Sequence, residues 1–233
     1  MIYLLGANGK IGKNIAKFFI TKKISFQAVT KEGDNNTLGF NEFINITTFK
    51  KNTLIINTAI LNGSDFNLLN NSFSNKTRMI YISSVSVYGN TILSNNISPI
   101  NRYGHFKVRE EKILKKNFNI FIVRLANIFG GNPETSGVLG LISTGNLNYI
   151  EVDEDDNELI RDYVHINDLL NFIHNNLNFK KSKIANISKG KGMTSSEFFK
   201  KINVKKINIK KTKYDKSKTI KVSIIDPNYM KFI

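Results

Sequence analysis

The chain has 233 residues, 41% of them apolar, which is enough for one α/β domain with a substantial core and too apolar for a disordered segment. Its formal net charge is +16, yet Arg78, Arg102, Arg109, Arg124 and Arg161 are its only arginines, so the planar fork that reads base edges is scarce and a drift toward Lys, Asn and Ile accounts for the bias. Cysteine is absent, which removes disulfides, thiolate catalysis and cysteine metal sites, and His105, His165 and His174 lack the paired spacing of a zinc site, so no metal is expected.

Ile2–Leu5 is an apolar run ending in glycine and reads as a buried strand entering a turn. A strand beginning there leaves no room for a secretory leader, and no run nears the roughly 18 apolar residues of a membrane helix. The expected location is the cytoplasm, with no membrane partner. Over residues 10–20, Ile11, Ile15, Phe18 and Phe19 recur at helical spacing. Residues 25–29 read as a second strand, 43–46 as a third, Leu54–Asn57 as a fourth, 79–83 as a fifth and 120–125 as a sixth. Residues 103–116 read as a helix with Phe106, Ile113 and Leu114 toward its buried face. Continuous runs such as Leu54-Ile55-Ile56 belong in a parallel sheet covered on both faces. The alternation predicts an α/β fold with a Rossmann-like, doubly wound parallel sheet.

Beyond Ile128 the pattern loosens. Residues 130–133 form a turn cluster, 151–158 an acidic loop or hairpin, and 184–187 a short strand. Asn167 or Asp168 is expected to cap a helix over 169–176. Across 200–221, lysine pairs alternate with Ile202, Val204, Ile207 and Ile209, as in a strand with one buried and one solvated basic face; an anion-binding surface is the alternative, and no nucleic-acid partner is expected. The expected organisation is a dinucleotide-binding domain over 1–127, with returning segments near 161–190, and a small substrate-binding region over 128–233.

Three stretches carry chemistry. Gly6, Asn8, Gly9, Lys10, Ile11 and Gly12 lie between a strand and a helix, where glycines let a backbone approach a pyrophosphate at the helix N-terminus. The spacing is GxxGxxG, which also suits an ordinary strand-to-helix turn. The second strand ends at Thr30-Lys31, which favours the 2′-phosphate of NADP, while Glu32 and Asp34 keep NAD open. Tyr103 and Lys107 are four apart on one helix face, so the lysine ammonium favours the tyrosine phenolate and equips Tyr103 to move a proton. Ser84, at the end of the fifth strand, is placed to orient the same oxygen. A surface helix pair and a polar strand end are the plainer readings. Tyr88, beside Gly89, reads as structural, and His105 points elsewhere on the helix.

With Leu54–Asn57 and the two residues after it, the 83–89 segment, Val123-Arg-Leu-Ala-Asn127-Ile-Phe-Gly130 and Arg161-Asp-Tyr-Val-His-Ile-Asn-Asp168, these stretches resemble the extended short-chain dehydrogenase/reductases, within them the nucleotide-sugar epimerase/dehydratase group. The resemblance implies NAD(P) held by the loop, by Thr30 and Lys31, by Thr58, Ala59 and Ile60, and by Ser83, Tyr103 and Lys107, with Lys107 reaching the nicotinamide ribose. It implies catalysis by Ser84, Tyr103 and Lys107, and a nucleotide-linked sugar bound by Ser84, Ser86, Asn127 and Arg161. A guanidinium suits the diphosphate, although Arg161-Asp162 also reads as a local ion pair, with Asp168 as a helix cap. Dehydratases of the group carry an acidic pair where this chain has Val85-Ser86, and those that also epimerise carbons 3 and 5 use a cysteine. The implied activity is therefore a 4-ketoreductase or 4-epimerase; a catalytically silent NAD(P)-binding regulator is the alternative. Segments 61–76, 84–103 and 128–160 are shorter than in the group, which leaves the usual homodimer open.

Overall fold

A computed structural model describes residues 1–46, 53–73, 77–131, 149–202, 210–215 and 218–233. At its centre β1 (Ile2–Leu5) lies parallel to β2 (Gln27–Thr30) on one side and β4 (Leu54–Asn57) on the other. β3 (Leu38–Gly39) extends the sheet beyond β2. On the other side β5 (Arg78–Ser84), β7 (Asn119–Leu125) and β11 (Lys183–Ile187) follow in parallel, and β15 (Met230–Phe232) closes the edge antiparallel. The eight-stranded order is β15-β11-β7-β5-β4-β1-β2-β3. The chain runs outward from β1 to β3 and then restarts at β4 on the opposite side, so a crevice opens beyond the C-terminal ends of β1 and β4.

Successive strand residues point to opposite faces, and both faces are buried. Leu4, Ile56 and Val123 pack toward α1 (Lys10–Thr21) and α5 (Ile166–Asn175), against Ile15, Phe19, Leu169 and Ile173. Leu5, Ile55 and Ile122 pack toward α2 (Phe40–Ile44), α3 (Gly63–Ser72) and α4 (Arg102–Asn117), against Phe43, Leu69 and Leu114. Each such fully buried side chain contributes roughly 1.5–3 kcal/mol.

A second sheet has the order β12 (Gly192–Thr194), β10 (Ile160–His165), β14 (Val222–Ile224), β6 (Thr91–Ile92), and β8 (Asn127–Phe129) pairs with the end of β10. β9 (Tyr149–Val152) pairs in parallel with β13 (Lys210–Lys213), and Tyr163 stacks on Phe198 of α6 (Ser195–Lys201) at 3.9 Å between ring centroids. β8 follows β7 after one residue, so this smaller layer rises directly from the C-terminal edge of the large sheet. Among the described residues, no helix is long and apolar enough to cross a membrane.

Three expectations change. Residues 43–46 are no strand: Gly39 caps α2, its N–H donating to Glu42 Oε2 at 2.9 Å, and Phe43 is buried from a helix. Neither Asn167 nor Asp168 caps α5; His165 does, its Nδ1 accepting from the Asn167 N–H at 3.2 Å, while Asp168 pairs with Lys189 at 3.0 Å. The basic segment 200–221 opens inside α6 and has its strand at β13; Val204, Ile207 and Ile209 lie outside the described residues. The acidic stretch does form a hairpin, Val152 bridging Glu158 antiparallel, but Asp153 in its turn is buried, accepting from the N–H groups of Asp155 and Asn157.

Candidate active site

Gly9 is the N-cap of α1, and no side chain caps that end. The N–H groups of the first turn and the positive end of the helix dipole therefore face the loop. A Cβ on Gly12 would sit 2.0 Å from the Gly6 carbonyl oxygen, so glycine is what lets α1 lie against the loop. The result is a cavity of about 440 Å³. Gly6, Asn8, Gly9, Lys10 and Ile11 line one side, Thr30 and Lys31 the end of β2, and Thr58, Ala59 and Ile60 the segment after β4. Gly12 is absent from the lining; its part is packing. Thr58 Oγ1 donates to the Leu5 carbonyl at 2.8 Å, tying that segment to β1. The Thr30 hydroxyl is engaged with Thr37 Oγ1 and the Gly33 N–H, both at 3.1 Å. Lys31 Nζ donates to Asp65 Oδ2 at 2.5 Å, and Asp65 also lines the cavity. Sequence reading overlooked Asp65; the available signal was the cap Asn62, whose Oδ1 accepts from the Asp65 N–H and fixes the start of α3.

A second cavity, of about 380 Å³, shares Ile11, Thr58 and Ile60 with the first. Ser83, Ser84, Ser86, Tyr103, Lys107, Asn127 and Arg161 all line it, joined by Ile220 and Ser223, which sequence reading did not single out. A Cβ on Gly104 would meet the Ser86 carbonyl oxygen at 2.4 Å, so glycine there lets α4 touch the 3₁₀ turn Val85–Tyr88 and brings Tyr103 to Ser84. Ser84 Oγ accepts from the Ser86 N–H and donates to Ser86 Oγ, both at 3.1 Å. Burial raises the Tyr103 phenol above its ordinary pKa and the Glu110 carboxylate adds to the rise, while a hydrogen bond with Ser84 works against it.

Lys107 lines this cavity from a buried position. It is 2% exposed, and its Nζ donates to Tyr81 Oη at 2.7 Å and to Glu110 Oε2 at 3.2 Å, standing 5.8 Å from the centre of the Tyr103 ring. Burial lowers its pKa, opposed by Glu110 and Glu111. The Tyr81 hydroxyl donates in turn to Glu110. Ser83, which also lines the cavity, donates its hydroxyl to Glu111 Oε1 at 2.6 Å. Glu111 receives Arg124 through Nε at 3.1 Å and Nη2 at 2.7 Å. Arg124 Nη1 donates to Tyr88 Oη at 2.9 Å, and Tyr88 to Asn186 Oδ1 at 2.7 Å, so Tyr88 belongs to a buried framework. The Glu111 bonds keep Arg124 protonated despite its burial.

Arg161 is held by main-chain carbonyls: Nη1 donates to Ile160 at 3.0 Å and Lys221 at 3.2 Å, and Nη2 to Ile220 at 2.5 Å. Asp162 is not its ion-pair partner; its carboxylate accepts the Lys189 and Gly190 N–H groups at 2.8 Å each. A cavity with an anion-seeking helix end therefore adjoins one lined by Ser84, Tyr103, an amide and a guanidinium. Such a pair of cavities suits a dinucleotide beside a phosphate-bearing substrate.

The sequence matches the NAD dependent epimerase/dehydratase family over residues 48–188. A search of curated proteins returns no match. Among solved structures, the chain is similar to MoeE5 in complex with UDP-glucuronic acid and NAD, at 17% identity and TM-score 0.77, covering 97% of this chain and 90% of that one. The UDP-glucose 4-epimerase of Thermus thermophilus, in complex with NAD, gives 14% identity, TM-score 0.77, and 97% and 90% coverage. The dTDP-glucose 4,6-dehydratase of Bacillus anthracis, in complex with NAD, gives 15%, 0.73, and 97% and 87%. At these identities the likeness establishes the Rossmann-like fold.

Proposed function

The chain belongs to the NAD-dependent epimerase/dehydratase family, and on that premise we propose that it moves hydride at carbon 4 of a nucleotide-linked sugar, as a ketoreductase or an epimerase. The observation that carries the reading is the meeting of Ser84, Tyr103 and Arg161 in a cavity that joins the loop cavity at Ile11, Thr58 and Ile60. Similar folds are recorded with UDP-sugars and NAD, which supports the same ligand classes here.

The α1 N-terminus and the Gly6–Gly12 backbone suit a pyrophosphate. A nicotinamide dinucleotide supplies the hydride donor or acceptor when bound. Ser84 orients the oxygen on carbon 4. Tyr103 takes the proton from that oxygen in oxidation and returns it in reduction. Lys107, its Nζ 5.8 Å from the centre of the Tyr103 ring, is the cation placed to favour a phenolate, while Ser84 opposes the rise that burial and Glu110 impose on the phenol. Arg161 and Asn127 hold the nucleotide end of the substrate. The residues after Ser84, Val85 and Ser86, provide no acid for elimination of water. By position alone Thr30 and Lys31 favour NADP, but the Thr30 hydroxyl is already engaged, which leaves Lys31 as the cation of that argument.

The test is product analysis by NMR. Reduced dinucleotide with nucleotide-linked 4-keto-sugars, and oxidised dinucleotide with nucleotide-linked hexoses, are expected to give inversion or reduction at carbon 4. A 4-keto-6-deoxy product would instead make the chain a dehydratase. One observation favours a second reading, a silent dinucleotide-binding protein: the Lys107 ammonium is taken up by Tyr81 and Glu110. Dinucleotide binding with no change in any sugar would select it.

A further inference from the structure

We propose that Asp65 sets the dinucleotide preference of this chain, holding Lys31 in an ion pair at the end of the loop cavity so that NAD is favoured over NADP; this rests on the dinucleotide reading above. Lys31 stands where a strand-two cation would receive a 2′-phosphate. Its Nζ lies 2.5 Å from Asp65 Oδ2, and both residues line the cavity. The two partners are unequal: the Lys31 side chain is 60% exposed and that of Asp65 only 11%.

That inequality decides the outcome. A 2′-phosphate brings a charge of about −1.5 to −2 next to the Asp65 carboxylate. To pair with it, Lys31 must turn at least part of its ammonium away from Asp65, and a largely buried carboxylate then faces the phosphate with less of its counter-charge. Asp65 cannot easily withdraw, because its own N–H is bonded to the Asn62 cap at 2.8 Å in the first turn of α3. Thr30, the other residue of the NADP argument, spends its hydroxyl on Thr37 and Gly33. The remaining lysine among the described lining residues is Lys10, which sits on the loop itself. NAD keeps the pair intact and offers a ribose 2′-hydroxyl, which a carboxylate accepts well. In effect α3 supplies the acid that β2 lacks.

The test titrates NADH and NADPH, by nicotinamide fluorescence, into the wild-type protein, Asp65→Asn and the double variant Asp65→Asn with Lys31→Met. Wild type is expected to bind NADH about tenfold more tightly than NADPH, as like-charge juxtaposition demands. Asp65→Asn is expected to gain about tenfold for NADPH and to lose some affinity for NADH, whose 2′-hydroxyl faces a weaker acceptor, and the double variant to lose the NADPH gain. Asp65→Ser serves if the asparagine variant fails to fold. A wild type that prefers NADPH, or a ratio unmoved by removing the carboxylate, overturns the role of Asp65. Binding of neither dinucleotide to wild type overturns the dinucleotide reading itself.

Discussion

Lys107, Glu110, Glu111 and Arg124 are each 2% exposed, and all lie beneath the surface that Tyr103 presents to the cavity. Reading α4 by its apolar residues pointed to Phe106, Ile113 and Leu114; the helix buries Leu114 but leaves the other two half-covered, and it buries three charges instead. Their partners explain the difference. Tyr81 and Ser83 come from β5 and Arg124 from β7, and no local spacing announces a bond between residues 28 or 29 positions apart. The Tyr103–Lys107 pair was legible because its geometry is helical; what holds the lysine was not. Glu111 takes two bonds from Arg124 and one from Ser83, so Glu111→Gln leaves a buried guanidinium short of its counter-charge. The expected loss is about 3–5 kcal/mol of stability, read as a lower urea midpoint with an unchanged slope. A midpoint shift within error would mean that the framework is not what supports the site.

Elements whose signal is local were legible nearly to the residue. Ile2–Leu5 and Leu54–Asn57 are strands as read, and the 10–20 and 103–116 helices differ from α1 and α4 by a residue or so at either end. α2 was misread because Phe43, Ile44 and Ile46 suit a strand in composition, and the cap joining Gly39 to Glu42 was overlooked. The loop–helix junction gives a direct prediction. Gly12→Ala forces a methyl to 2.0 Å from the Gly6 carbonyl, so α1 must move off the loop, and dinucleotide affinity is expected to fall by at least about tenfold. Isothermal titration of wild type and variant checks this; equal affinities would contradict it. The turn after β9 gives a pH prediction. The Asn157 N–H, with further help from its side chain, Lys221 and the Asp155 N–H, lowers Asp153 from 3.8 to about 2. The unfolded chain therefore takes up this proton near pH 3.8 and the folded chain only near 2. Stability from Asp153 is present above pH 3.8 and is lost as pH falls through that window. Thermal melting across the window is expected to fall more steeply in wild type than in Asp153→Asn. Parallel curves would show that the carboxylate is not held in this way.

At the scale of the molecule, the order β7-β5-β4-β1-β2 places the loop after β1, the segment after β4 and the serines at the end of β5 along one edge of the sheet. β8 and β10 then carry Asn127 and Arg161 to the same edge from a second layer. Periodicity announced the doubly wound sheet, and the family-like segments announced Asn127 and Arg161. Ser223 was not legible: β14 is three residues long and gains its place by pairing with β10, about 60 positions earlier in the chain. The same topology puts Tyr103 in the cavity that adjoins the loop cavity, and the proposed chemistry stands on that residue. Its most direct measurement is the near-ultraviolet absorbance of the reduced nicotinamide while dinucleotide-loaded protein meets a panel of nucleotide-linked 4-keto-sugars, in wild type and Tyr103→Phe. Consumption is expected in wild type, with a loss of roughly a hundredfold or more in the variant and dinucleotide affinity largely kept. A variant that turns over at the wild-type rate would contradict the role given to Tyr103.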